Sequence, residues 1–403
     1  MIKSIKVTNF GSIGATQELS FAITSKDVLD SSAISISPTQ SVNLINCIIG
    51  HNASGKTSIL KAISFVFWLI GHSYASIKPN APIPISPHEL HKDRLTKIEM
   101  EFLHDSHSYL YSIELNQDAI YKEYLGNHVL KGYSRIFEYE RTDAGWDFKS
   151  TKKLIINKND FKRFQERKNV SVLSSLIETG YLPELIFLYS IDTNVTKIGH
   201  YIHPPMHEFF EVSEILHSNS NLKTAALNFV ESIDIGISDF EFMEEQVFKD
   251  KVSDSESKHL IECVHKSDLA QFNLPLIEES SGTRHSLLIL AHIMPILNTG
   301  GIIILDEFES GLHPYVAKRI ISFFQERRTN PRHAQLIFST HQHLLLNDRT
   351  KTQIFIAEKN SRNFETEIYR LDEVQGVRNY ENFFDKYLSG SYGGIGSIKW
   401  VNT

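Results

Sequence analysis

Cysteine is nearly absent: the 403 residues hold two, Cys47 and Cys263, each inside an apolar, strand-like stretch. A disulfide framework is therefore not expected, and a reducing cytoplasm suits the chain. Long hydrophobic runs are missing as well. The longest near the glycine-rich segment, Ala62 to Gly71, falls far short of the roughly 20 residues a bilayer crossing needs, so no membrane partner is expected. The opening "MIKSIKVTNFG" mixes charged and apolar residues and lacks the apolar core of a signal peptide. An excess of basic charge is also missing. Net charge is −7, which argues against a surface built to coat nucleic acid. Heptads are not sustained over several turns, which excludes a long coiled coil, and no internal repeat or low-complexity tract stands out. What is present is the composition of an ordinary globular protein, 41% apolar and 22% charged, in a chain long enough for one large domain or two.

Three regions are expected: 1–150, 151–265 and 266–403. The first opens with "IKSIKVTNF", "QELSFAI" and "SVNLINCII", rich in apolar and β-branched residues and read as strands. A helix, "KTSILKAISFVFWLIGHSYA", follows, then a Pro-rich loop. Alternating strands such as "KIEMEFL", "SYLYSIEL" and "RIFEYER" come next, with Gly126-Asn127 read as one of the turns between the later ones. The middle region is read as mainly helical at both ends, from "KKLIINKNDFKRFQERK" to "LKTAALNFVESI". In the last region, the apolar strands "GIIILDE" and "QLIFSTH" are joined by an amphipathic helix. That pattern marks a parallel sheet covered on both faces.

The segment "IIGHNASGKTS" (Ile48 to Ser58) sets Gly50, Gly55, Lys56 and Thr57 at the spacing of a phosphate-binding loop. Its residues Gly50, His51, Asn52, Ala53, Ser54, Gly55, Lys56, Thr57 and Ser58 lie between an apolar strand and a helix. Backbone N–H groups of such a turn converge on phosphate oxygens at the helix N-terminus. Lys56 would reach the β- and γ-phosphates, and the Thr57 hydroxyl would ligate Mg²⁺. Chance alone gives the four fixed positions in about one chain in a hundred of this length.

Three further elements accompany it. In "IIILDEFESGLHP" a buried strand ends in two carboxylates, with Asp306 placed to hold the metal and Glu307 to act as general base on water. Acidic pairs also end ordinary strands; beside a phosphate loop they point to hydrolysis. In "EESSGTRHSLLILA", Ser280, Ser281 and Gly282 open a helix. They are either a plain N-cap or a second anion site aimed at a γ-phosphate. In "LIFSTHQHLLL" an apolar strand delivers His341 at its C-terminal end, the edge at which open parallel sheets bind ligands.

In chain order, glycine loop, Ser280–Gly282, Asp306-Glu307 and His341, the four elements resemble the ABC-type ATPase heads of the SMC, RecF and OLD proteins, over nearly the whole chain. "IKVTNFGSI" and "QELSFA" look like that group too. The stretch from "IFIAEKN" through "GVRNYENFFDKYLSGSYGGIG" is similar to the AAA-type ATPases of abortive-infection and phage-defence pairs such as AbiL, Rlo and PARIS. The resemblance implies an α/β fold, a P-loop NTPase of the ABC-ATPase head type. Its sheet would be mixed, with an N-terminal antiparallel β lobe and a mainly helical insertion without a long coiled coil. ATP and Mg²⁺ are the implied cofactors. Gly50, Gly55, Lys56 and Thr57 match Walker A; Asp306 and Glu307 match Walker B, with Ser310 to His313 as the D-loop. Ser280 to Gly282 match the signature, and either serine could contact phosphate. His341 matches the switch histidine, which with Glu307 and Lys56 makes the catalytic set. "FLYSIDTN" (Phe187 to Asn194) is a Q-loop candidate. The signature lacks the second glycine and the Gln of transporter ATPases, and Gly11 stands where many relatives carry Arg or Lys. Many defence relatives also carry a basic residue where this chain has Ser391.

The implied role is an ATPase that, as a homodimer or larger oligomer, controls a separate effector, a nuclease or toxin, in anti-phage defence. The alternative is a RecF- or SMC-like ATPase that clamps DNA in repair. The one dense basic run, Lys152, Lys153, Lys158, Lys162, Arg163, Arg167 and Lys168, is where nucleic acid would be met. A scaffold with negligible turnover is disfavoured by Glu307. An in-cis nuclease of the OLD kind is not expected: 62 residues follow His341 in the sequence, without an Asp-x-Asp pair. His200, His203 and His207 do not read as a metal site, because Pro204-Pro205 breaks the helical spacing that would converge them. Trp68, near Phe65 and Phe67, reads as core packing.

Overall fold

In the computed structural model, described for residues 1–28, 31–142, 145–189, 191–195, 206–233, 236–248, 255–379 and 381–395, apolar strands sort into two cores. The chain begins with β1 (Ile2–Thr8), β2 (Gln17–Ser20), β3 (Ala22–Thr24), β4 (Ala33–Ser35), β5 (Gln40–Asn43) and β6 (Ile45–Ile49). Helix α1 (Lys56–Ser76) follows the glycine-rich loop. Then come β7 (Thr96–His104), β8 (His107–Leu115), β9 (Ile120–Val129), β10 (Gly132–Thr142) and β11 (Gly145–Ser150). The middle segment holds α2 (Lys158–Glu166), α3 (Val172–Glu178), β12 (Ile191–Thr193), α4 (Met206–Ser218), α5 (Ser220–Ile233), β13 (Ile237–Phe248) and β14 (Ser255–Lys266). The last third is β15 (Gln271–Pro275), α6 (Ser281–Thr299), β16 (Ile302–Leu305), α7 (Pro314–Gln325), β17 (Gln335–Ser339), β18 (Ile354–Lys359), β19 (Thr366–Arg370) and α8 (Phe383–Leu388).

The central sheet runs β12-β16-β17-β6-β18-β19, parallel except for the β18–β19 pair. Its inner strands β16, β17 and β6 are buried at every position, as a doubly covered sheet requires. Alternation then sends successive residues to opposite sides. Ile48, Ile302, Ile304, Ile337 and Phe355 join the core shared with α1 and the β lobe. Ile45, Cys47, Ile303, Leu305, Leu336 and Phe338 join the core beneath α4 to α7. Both cysteines are buried and free. The lobe is the antiparallel sheet β11-β10-β9-β8-β7-β1-β2, flanked by a small β3-β5-β4 sheet.

One described helix, α1, is long and apolar enough to cross a membrane by length and composition, but it lies mostly buried in the first core. Trp68 packs on Phe65 there, ring centres 6.1 Å apart.

Three local expectations need revision. Gly126 and Asn127 lie inside β9, paired with Arg135 and Ser134, and the turn comes at Leu130–Lys131. The glycine there admits Tyr124, whose hydroxyl would stand 2.5 Å from a Cβ. The segment 151–265 has its helices, yet it also supplies β12 to the central sheet and ends in the β13–β14 hairpin of a three-stranded sheet, β13-β14-β15. The basic run, finally, is not all free surface. Arg167 turns inward, donating to the Tyr74 carbonyl at 2.9 Å and to that of Ile77, which ties off the end of α1. His207 is the second residue of α4; His200 and His203 lie outside the described residues.

Candidate functional site

The loop after β6 is built from left-handed backbone: Gly50 (φ 154°), Ala53 (φ 63°) and Gly55 (φ 106°). A Cβ at Gly50 would sit 2.3 Å from the Ala357 carbonyl oxygen, and one at Gly55 1.9 Å from Thr366 Oγ1, so both positions need glycine. This conformation gathers N–H groups into a concavity at the start of α1, an anion-binding nest. Lys56 Nζ folds back over it, donating to the carbonyls of Gly50 (3.0 Å) and His51 (3.2 Å). Burial pulls the Lys56 ammonium below the usual lysine range, opposed by the charges of Glu307, Asp306 and Glu309. Ser54 is buried inside the turn, and Ser58 accepts from the Ser12 N–H and hydroxyl.

Strands β16 and β17 bring the acidic residues opposite this loop. Thr57 Oγ1 donates to Asp306 Oδ2 at 2.6 Å, and the Ser339 hydroxyl donates to Asp306 Oδ1. Asn194, just past β12, brackets the same residue: its Nδ2 donates to the Asp306 carbonyl (2.9 Å) and its Oδ1 accepts the Asp306 N–H (2.6 Å). Glu307 sits at φ 46°, an uncommon region for a non-glycine residue, and its N–H donates to Ser339 Oγ at 3.1 Å. Its Oε1 lies 3.0 Å from His341 Nε2. Glu309 is buried and accepts the His341 N–H at 2.7 Å; burial pushes its carboxyl up, opposed by the Thr340 hydroxyl and backbone N–H groups. Asn52, Ala53, Gly55, Lys56, Thr57 and Ser58 line an open cleft of about 750 Å³ together with Ser12, Glu307, His341 and Lys359.

The structure thus gathers Gly50 to Ser58, Asp306, Glu307 and His341 around one cleft. It does not bring Ser280, Ser281 and Gly282 there: among the described residues these do not line the cleft. Ser280 caps α6, its Oγ accepting the Thr283 N–H at 3.1 Å; Ser280 and Ser281 are exposed, and Gly282 packs toward the Gly311 carbonyl. One turn on, His285 is 1% exposed, and burial lowers its pKa to about 4 against a backbone contact with Ser310.

Four residues of the site escape a reading of the sequence, and a fifth, Asn194, is reached only as the last residue of the Q-loop candidate. Ser339 has a signal, a hydroxyl closing a wholly apolar strand. Glu309, Lys359 and Ser12 carry none. Gly11 also has its reason here: φ is 58°, and a Cβ would meet Ser58 Oγ at 2.9 Å, so a side chain at this position would be strained.

Set against known proteins, no curated sequence matches. Two solved structures are similar at low identity. One is the SmcHead bound to the C-winged helix domain of ScpA, at 11% identity and TM-score 0.47, covering 93% of this chain and 99% of that one. The other is the Smc head domain with an extended coiled coil bound to the C-terminal domain of ScpA derived from Pyrococcus furiosus, at 10%, 0.42, 92% and 97%. The model of one family, described as "AAA domain, putative AbiEii toxin, Type IV TA system", matches residues 45–347, most of the chain, and the protein belongs to that family of AAA-type ATPases.

Proposed function

We propose that the chain binds ATP with Mg²⁺ at the Lys56 loop and hydrolyses it, using the cycle to control a separate effector. The observation that carries this reading is the pairing of Thr57 Oγ1 with Asp306 Oδ2 at 2.6 Å beside Lys56, with Glu307 facing the same cleft. The two oxygens are the hard donors that Mg²⁺ takes alongside phosphate. When bound, Mg²⁺ neutralises charge on the β- and γ-phosphate oxygens. The N–H groups of the loop and the start of α1 hold the phosphates, and Lys56 meets the β- and γ-oxygens. Asn194 and Ser339 keep Asp306 in place. Glu307 accepts the proton of the attacking water, and His341, against Glu307 Oε1, holds that carboxylate and donates to the γ-phosphate.

The exposed helix start at Ser280–Gly282 supports a second part. In a two-fold homodimer each such N-terminus would complete the partner's site over the γ-phosphate, giving two composite sites from one self-complementary interface. Loss of the γ-phosphate would then loosen the pair, a two-state element able to hold or release an effector. The family's description, which includes a putative toxin of a toxin–antitoxin system, supports a place in a defence system, and the separate nuclease- or toxin-like effector is part of this proposal. The net charge of −7 argues against a DNA clamp. Light scattering tests the assembly: Glu307→Gln is expected to dimerise on adding ATP, and changing Ser280 and Ser281 together to tryptophan to block that while ATP still binds. A monomer in every condition refutes the composite site.

A further inference from the structure

Away from the cleft, α4 meets β14 across a small cluster of histidines and one carboxylate. Glu214 and His217 stand three residues apart, which puts both on one face of α4. His259 faces them from β14. One ligand atom from each of the three lies within 4.8 Å of the others. Glu214 Oε1 accepts the His259 N–H at 2.8 Å and stands 2.9 Å from His259 Nδ1, so the carboxylate is fixed to the strand. Its second oxygen has no partner among the described residues. The His217 and His259 rings stack 3.8 Å apart at 23°, and His217 also meets the Phe242 ring at 5.1 Å.

We propose that Glu214, His217 and His259 form a binding site for a divalent transition-metal ion of the zinc class. A plain ion pair accounts for Glu214 and His259 alone. It leaves unexplained why a second imidazole stands beside the pair, with a ring nitrogen within 4.8 Å of both the carboxylate oxygen and the first imidazole's nitrogen. Two imidazoles and a carboxylate are the donor set of open zinc sites, with water in the fourth position. Ligand atoms in such a tetrahedron stand about 3.3 Å apart, given bonds of about 2.0–2.1 Å. To reach that spacing the His217 ring has to turn out of its stack on His259, so that both lone pairs meet at the ion, and its exposed position leaves room for the turn. Nitrogen donors select zinc-like cations over Mg²⁺, which prefers the all-oxygen pair of Thr57 and Asp306. Helix α4 packs on both β14 and α6. An ion here would therefore pin the β13-β14-β15 sheet to the helix layer behind the Ser280–Gly282 helix.

The test uses the full chain, stripped with chelator and without nucleotide, titrated with Co²⁺ followed by visible absorption and with Zn²⁺ by calorimetry. Wild type is expected to take one equivalent with the intense bands of a low-coordinate Co²⁺ site, undisplaced by excess Mg²⁺. His217→Ala and His259→Ala should each weaken binding at least about ten-fold. His217 is exposed, and circular dichroism verifies that both variants fold. Absence of saturable Zn²⁺ binding, or wild-type affinity in both variants, overturns the site.

Discussion

Replacing Asn194 by alanine strands two buried groups at once, the N–H and the carbonyl of Asp306, which Asn194 now pairs at 2.6 and 2.9 Å. The side chain is 1% exposed, so water does not take its place without rearrangement. Each stranded group costs about 1–3 kcal/mol, or about 2–6 kcal/mol together. At about 1.2 °C per kcal/mol in a chain of this size, the melting temperature falls by about 2–7 °C. Asp306 also loses its register opposite Thr57. Small misplacements of this kind cost up to about 100-fold in rate, so turnover is expected to fall much more than ATP affinity. Scanning fluorimetry, calorimetry with ATP and phosphate release measure the three quantities. An unchanged melting temperature with full turnover would refute the idea that Asn194 holds the acidic strand end in place.

Gly55→Ala is expected to weaken ATP binding at least about ten-fold in calorimetry, because the φ of 106° costs about 1–3 kcal/mol and the new methyl meets Thr366 Oγ1 at 1.9 Å; wild-type affinity would count against the nest. Stability should also depend on pH through His285. Its pKa drops from 6.5 to about 4 on folding, so the unfolded chain binds the extra proton between those values. The stabilisation is thus present above about pH 6.5 and is lost as pH falls toward 4, about 3 kcal/mol in all. In His285→Asn the decline in melting temperature from pH 7.5 to 5 should be visibly shallower than in wild type; an identical slope would exclude His285 as a source.

Much of this arrangement is legible in the amino-acid sequence alone. The continuous apolar runs of β6, β16 and β17 announce a parallel sheet covered on both faces, and glycines at positions 50 and 55 are demanded by left-handed backbone that sequence spacing encodes. The tertiary brackets are not legible. Asn194 and Asp306 are 112 residues apart, and a Q-loop candidate that ends at Asn194 does not reveal that its side chain will pair with a distant strand end. Of the β13–β14 hairpin only the stretch around Cys263 reads as a strand; its pairing with β13 goes unseen because the many charged residues between the apolar ones blur the alternation. Arg167 looks like part of a charged surface run, since turning inward to the end of α1 leaves no trace in composition. Gly126 misleads for the opposite reason: it serves close packing against Tyr124, not a turn.

The central claim is that Glu307 activates water against ATP held by the Lys56 loop. It is tested most directly by loading radiolabelled ATP with Mg²⁺ onto wild type and Glu307→Gln and following phosphate release alongside binding. Equal binding is expected in the two, with release by wild type and release about 10²–10⁴-fold slower in the variant. Equal binding with wild-type release from Glu307→Gln would contradict it.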